Sequence, residues 1–222
     1  IPGVVAAKPP HFMSEAEKGR TPEIEDMSID IGASSAEEAI QDFGVRIGAP
    51  VAPDVQFSYD EAHDLMFGKA FDNRLGCAAV LATLERLGMD ELAVDPVGAL
   101  AAQEEVGTRG GQVTAQRIQP DIGVAVDVTP CHDRPGDLEG SNALDHGVAI
   151  KISDTGSISD EGLVNKSIAL CKEHNVPYQK DVIYVGGTDA GAMTLVGGGI
   201  KTIGFSVVTR YTHGPNAIVS QK

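Results

Sequence analysis

Side chains that bind cations or move protons follow the apolar runs of this chain in order. Asp72 comes after Leu65–Phe71, and Glu104 with Glu105 after Ala93–Ala102. Asp127 closes the run that begins at Ile122. Asp189 follows Val182–Val185 by way of Gly186-Gly187-Thr188, and His213 follows Lys201–Val208 by way of Arg210-Tyr211-Thr212. In a parallel α/β sheet the carboxyl ends of the strands line the ligand crevice, so each connection is expected to bring an acid or an imidazole to one edge. Carboxylates gathered there repel one another and stay ionised only with positive charge among them. A pair of divalent cations supplies that charge economically. Asp, Glu and His are ligands for zinc-like ions, and a carboxylate bridging two such ions makes a strong nucleophile of a shared water. The adjacent acids Glu104 and Glu105 suit a division of labour, one binding metal while the other takes the water's proton.

Taken singly, these residues have plainer readings. Asp72 suits the N-cap of a helix starting at Asn73, and Glu104-Glu105 a solvated turn. Asp127, within Val126-Asp127-Val128, is a charge in an apolar strand and needs a partner. His11, His63, His132, His146 and His174 are read as ordinary surface or core histidines, His174 at a helix C-terminus. Gly107 with Gly110-Gly111 matches no phosphate-loop spacing. Gly186-Gly187 and Gly197–Gly199 read as tight turns. The specific signal is the ensemble, in its order and positions.

The elements that must position these groups alternate. Leu65–Phe71, Ala93–Ala102 (as a buried strand), Ile122–Val128, Ala149–Ile152, Val182–Val185 and Lys201–Val208 read as strands. Asn73–Leu87, Gln112–Ile118, Glu161–His174 and Asp189–Leu195 read as helices. This alternation predicts an α/β fold with a largely parallel sheet. Residues Pro9–Asp60 are choppier. Ser14–Glu17 and Ser35–Glu38 have the S-x-x-E form that opens a helix, and short strands are expected near Ile1–Ala6, Met27–Ile31 and Pro50–Phe57.

Composition narrows the partners. The 222 residues carry a net charge of −15, which repels phosphate backbones and anionic membrane surfaces, so neither nucleic acid nor membrane is expected as a partner. The apolar runs are strand-sized, short of the ~20 residues of a membrane helix. Three scattered cysteines without a CxxC argue against a disulfide framework or a thiolate zinc site, and a reducing cytoplasm is the expected compartment. Residue 1 is Ile, no leader pattern follows, and a Gly-Pro turn precedes the last strand-like residues, so both ends read as cut.

Five segments carry a resemblance: Lys69-Ala70-Phe71-Asp72-Asn73-Arg74, Gln103-Glu104-Glu105-Val106-Gly107, Ala125-Val126-Asp127-Val128-Thr129-Pro130, Gly186-Gly187-Thr188-Asp189-Ala190 and Arg210-Tyr211-Thr212-His213. In this order they resemble the di-metal aminopeptidases related to glutamyl aminopeptidase, a family that includes self-compartmentalising tetrahedral aminopeptidases and endoglucanase M-like proteins. Ile31–Ser35 and Gly44–Gly48 look like the family's inserted dimerisation domain.

The resemblance implies a di-zinc exopeptidase-like fold: a mixed, largely parallel sheet flanked by helices over residues 62–222, with part of a small β-rich dimerisation domain over residues 1–61. It implies two divalent ions, zinc or cobalt foremost. Asp72 would bridge them, Glu105 and His213 would complete one site, Asp127 would belong to the other, and Glu104 would be the general base. Asp189, with Gly187 and Thr188, would stand behind the ligands or on the substrate side. A non-proline cis peptide is implied at Asp72–Asn73. The family's remaining histidine ligand lies in an early strand with no counterpart here, His63 being in a different context. The chain is therefore expected to be a fragment, lacking the family's N-terminal strands and C-terminal helix and inactive alone. Short peptides are the implied substrates, and a homodimer, assembling further into a dodecamer, the implied state. Two rivals stand beside this reading: a metal-dependent deacylase or glycan hydrolase, and a catalytically degenerate assembly subunit.

Overall fold

The computed structural model describes residues 1–88, 92–134 and 139–222. It divides into two compact units, Ile1–Ala52 and Pro53–Lys222. In the first, strand β1 (Val4–Val5), helix α1 (Glu15–Lys18), strand β2 (Ile29–Asp30) and helix α2 (Ala36–Gln41) follow in order, and β1 pairs antiparallel with β2. Both helices start where their serines predict. Ser14 Oγ accepts from the Glu17 N–H at 3.3 Å and the Glu17 carboxylate accepts from the Ser14 N–H at 2.6 Å, a reciprocal cap. Ser35 Oγ accepts from the Glu38 N–H at 3.1 Å, while the Glu38 carboxylate reaches one residue further back, to the Ser34 N–H at 2.7 Å.

The second unit runs β3 (Ser58–Asp60), β4 (Leu65–Gly68), α3 (Phe71–Leu87), α4 (Arg109–Ile118), β5 (Ile122–Pro130), β6 (Val148–Ser153), α5 (Glu161–Glu173), β7 (Tyr178–Val182), α6 (Asp189–Thr194), β8 (Lys201–Arg210) and β9 (Ala217–Ser220). The sheet order is β3-β4-β9-β8-β6-β7, with β5 on β8. The fold is α/β with a mixed sheet. Its longest ladder, β5–β8, and β6–β7 are parallel, and the remaining pairings are antiparallel. On one face α5 lays Val164, Leu163 and Ile168 over Ile150 and Ile203, and Phe71 at the start of α3 packs with Val207, Ala217 and Val219. Elsewhere Ala115 of α4 meets Val196 and Ile200, with Met193 of α6 against them.

Several expectations are corrected. The stretch 93–102 is neither strand nor buried. It is irregular, with Val94, Val97 and Leu100 more than half exposed. Apolar content alone does not make a strand, because a strand needs a ladder, and this stretch has none among the described residues. No strand forms at 50–57, where Pro50 and Pro53 lack N–H donors; pairing begins at Ser58. β7 lies earlier than the apolar run Val182–Val185 suggests, because its charged residue Asp181 is paired internally, and Tyr184 and Val185 are left exposed. β9 closes the sheet against β4 and β8 where only a tail is legible in the sequence.

Candidate metal centre

Asp72, Glu105 and His213 offer ligand atoms that all lie within 4.8 Å of one another. His213 Nε2 stands 3.0 Å from Asp72 Oδ2 and 3.4 Å from Glu105 Oε2. A crevice of about 130 Å³ opens beside them, walled partly by Phe71, Tyr211 and Thr212. β4 and β8 run in the same direction, so Asp72 and His213 do emerge at one sheet edge. Asp72 is not an N-cap. It sits in a kink inside α3, with non-helical backbone at Asp72 and Asn73 and a cis peptide between them, as the resemblance implies.

The other acids reach the same neighbourhood by different routes. Asp127 lies within β5 rather than at its end, opposite Ser206. β7 runs against β8, so its carboxyl end faces away from the shared edge, and Asp189 is returned by α6 instead. Glu104 and Glu105 come from the turn after the unpaired stretch, where the Gly107 and Thr108 N–H groups donate to the Glu104 carbonyl at 3.0 and 2.8 Å.

The electrostatics carry the mark of unneutralised crowding. Burial, reinforced by Asp127, Asp189, Glu105 and Asp72, pushes the Glu104 carboxyl up to about 7. Burial pushes Asp127 up to about 6, with Asp72 and Asp189 adding and the Val128 N–H and the Lys151 ammonium opposing. Asp72 is raised by burial first and by Glu105 second, with His213 pulling the other way. Burial raises Asp189 as well, and its Oδ1 is buried without a hydrogen-bond partner. Carboxylates raised by burial and by one another, with an imidazole nitrogen among them, are the donor chemistry a zinc-like cation fits.

The surrounding backbone is under constraint. Ala70 (φ 57°), Gln103 (φ 62°), Tyr211 (φ 62°) and His213 itself (φ 62°) adopt the left-handed region, each within two residues of a candidate ligand or base. Such conformations cost of order 1–3 kcal/mol each and collect at functional sites. Thr188 caps the helix that begins at Asp189. Thr188 Oγ1 accepts from the Ala190 N–H at 3.3 Å and donates to Asp154 Oδ2 at 3.5 Å. Asp154 Oδ1 in turn accepts from the Gly156 and Ser157 N–H groups at 2.8 and 2.6 Å. Gly111 is required because its absent Cβ leaves room for the Asp189 carboxylate.

The Asn73 side chain, not among the candidates from sequence, fixes the site. Its Nδ2 donates to the Val126 carbonyl at 2.8 Å and its Oδ1 accepts from the Gly76 N–H at 2.8 Å, tying the Asp72 kink to the Asp127 strand. An amide immediately after a candidate ligand was the available signal. The remaining histidines make local contacts. His63 pairs with Asp60 at 2.8 Å, His132 Nδ1 accepts from the Asn142 N–H at 3.2 Å, His146 Nδ1 lies 2.6 Å from the Leu144 carbonyl, His174 caps α5, and His11 lies against Phe12.

Residues 1–222 match the family described as M42 glutamyl aminopeptidase, and the chain belongs to that family. It is 34% identical over 221 residues to the glutamyl aminopeptidase of Lactococcus lactis, covering 98% of this chain and 61% of that protein. It is 31% identical over 216 residues to the lysyl aminopeptidase of Pyrococcus furiosus, covering 95% and 60%. Its fold superposes on the TET aminopeptidase of a Thaumarchaeota archaeon with TM-score 0.87 at 31% identity, covering 99% of this chain and 62% of the other. The chain thus spans about three-fifths of the length of these relatives.

Proposed function

We propose that the protein is a metal-dependent aminopeptidase that removes N-terminal residues from short peptides. The observation that carries this reading is the convergence of Asp72, Glu105 and His213 in a chain of the M42 family. Asp72, Glu105 and His213 would hold one divalent ion, and Asp72 and Asp127 would contribute to a second, with zinc and cobalt suiting these donors. When bound, the ions would polarise the scissile carbonyl and acidify water. Glu104, ionised beside the cations, would receive the proton of the attacking water on its carboxylate and return it to the departing amine. Asp189 and its neighbouring acids give the substrate's free ammonium group a negative wall, and Gly187 and Thr188 hold Asp189 in place.

Two further readings complete the proposal. The amino-terminal unit joins two copies into a homodimer, and dimers build a dodecamer; exposed Phe12, Ile24 and Ile47 of that unit and the dodecamer formed by PhTET1-12s, 27% identical to this chain, support this. The compartment is the cytoplasm, supported by free thiols at Cys77, Cys131 and Cys171. Among the described residues no helix is long and apolar enough to cross a membrane.

The test uses protein expressed from its complete coding sequence. Metal analysis, EDTA treatment and a panel of aminoacyl and acylated substrates decide between aminopeptidase and deacylase, and a glycosidase would need two carboxylates but no cations. Glu104→Gln should keep its metal and lose roughly 10²–10⁴ of turnover. Near-normal rates in that variant would remove Glu104 from the base role.

A further inference from the structure

Beneath Asp127 runs a buried polar strut that the proposed chemistry does not use. Lys151 of β6 and Asp181 of β7 stand opposite each other in register and form an ion pair, with side chains 1% and 0% exposed. The Lys151 ammonium also reaches across β8 to Thr129 of β5, where it donates to Oγ1 at 3.4 Å. Thr129 Oγ1 itself donates to Asp181 Oδ2 at 3.0 Å. β8 admits this crossing because it carries Gly204 there; a Cβ at that position would come within 2.9 Å of Lys151 Cβ. Asn142 Nδ2 donates to the other Asp181 oxygen at 2.6 Å, and the Asn142 carbonyl accepts from the His132 N–H at 2.7 Å, just beyond the end of β5. Thr129 and Asn142 are as buried as the charges they meet.

A buried ion pair is a poor way to gain stability, since apolar residues of the same volume usually do as well or better. What it gives is fixed geometry, because each polar atom tolerates few positions. Here the fixed strand is β5, and the residue held is two positions beyond Asp127, on the same face of the sheet by strand alternation. We infer that Lys151, acting through Asp181 and Thr129, is a positioning residue that sets the place of Asp127 for cation binding. This rests on the metal-site reading above. It adds residues from β6 and β7 whose side chains touch neither cation nor substrate.

The test compares Thr129→Val, which keeps the side-chain volume and removes the hydroxyl link, with the apolar pair Lys151→Met/Asp181→Leu. Protein from the complete coding sequence is stripped of metal and titrated with cobalt, followed by visible absorption, and its folded fraction is measured by chemical denaturation. Both variants should bind the cobalt ion next to Asp127 about tenfold more weakly per folded molecule, the low end of the loss when a group orienting a metal ligand is removed, and show lower kcat with KM within about twofold. Wild-type cobalt affinity in either variant, or a loss only in proportion to unfolded protein, overturns the inference. Lack of peptide turnover by the unaltered protein would instead refute the proposed activity, and the cobalt titration would still decide the positioning role.

Discussion

Glu104→Gln should uncouple metal binding from pH, and the size of the effect follows from the crowding around that carboxyl. In the metal-free site burial and four neighbouring acids hold Glu104 at about 7. At pH 6 such a group is about nine-tenths protonated, and at pH 8 about one-tenth. Entry of cations into the site favours the ionised form, so binding expels that proton. Glu104 should therefore contribute about 0.9 of a proton released at pH 6 and about 0.1 at pH 8. Across that interval the affinity ratio of wild type to Glu104→Gln should climb about tenfold, or about 1.4 kcal/mol. Titration calorimetry with cobalt in two buffers of different ionisation enthalpy reads the proton count directly. Taking the difference between the two proteins cancels, to first order, the protons lost by the ligands themselves. Equal proton release from both proteins at pH 6, or an affinity ratio flat from pH 6 to 8, would show that Glu104 does not share the cations' field and would undo its assignment as the base.

Other consequences can be measured on stability. Glu104 and Asp127 have folded-state values above their ordinary 4.5 and 3.8. The stability they lend the metal-free protein is therefore greatest in acid and is lost as pH rises through about 6 to 7; urea midpoints should fall from pH 5 to pH 8, and a midpoint rising over that range would contradict the shifts. Lys151→Met alone strands Asp181 in the interior and should cost about 3–5 kcal/mol, whereas Lys151→Met/Asp181→Leu should cost much less; equal losses in denaturant titrations would mean that the pair is not electrostatically coupled. Gly111→Ala drives a methyl group into the Asp189 carboxylate and should cost about 1–3 kcal/mol, with most of the loss recovered in an Asp189→Gly background; additive losses would place Asp189 away from Gly111.

The sequence was most legible where local chemistry decides the outcome. Ser14 and Ser35 announce their helices, and the stripe from Leu75 to Leu87 forms α3. The order of acids also pointed correctly to Asp72, Glu105 and His213 as neighbours. The failures arose where the partner decides. The apolar stretch 93–102 looks like a strand, but strand formation depends on a neighbour's ladder, which no property of the stretch itself reveals. Tyr178–Val182 looks too polar for a strand with a buried residue until Lys151 is seen opposite Asp181. Convergence on one sheet edge was only half right, because strand direction is a tertiary property. β4 and β8 obey the rule, Asp127 sits mid-strand, and Asp189 arrives on a helix.

The left-handed backbone at Ala70 and Gln103 also limits how this protein can diverge. Valine and isoleucine are strongly disfavoured at both places by their branched Cβ, while glycine fits without steric penalty and asparagine with a reduced one. Glycine there would harden the protein against heat and slacken the two turns that present Asp72 and Glu104. A library selected for thermal survival alone should collect such glycines, and one selected for turnover should discard them.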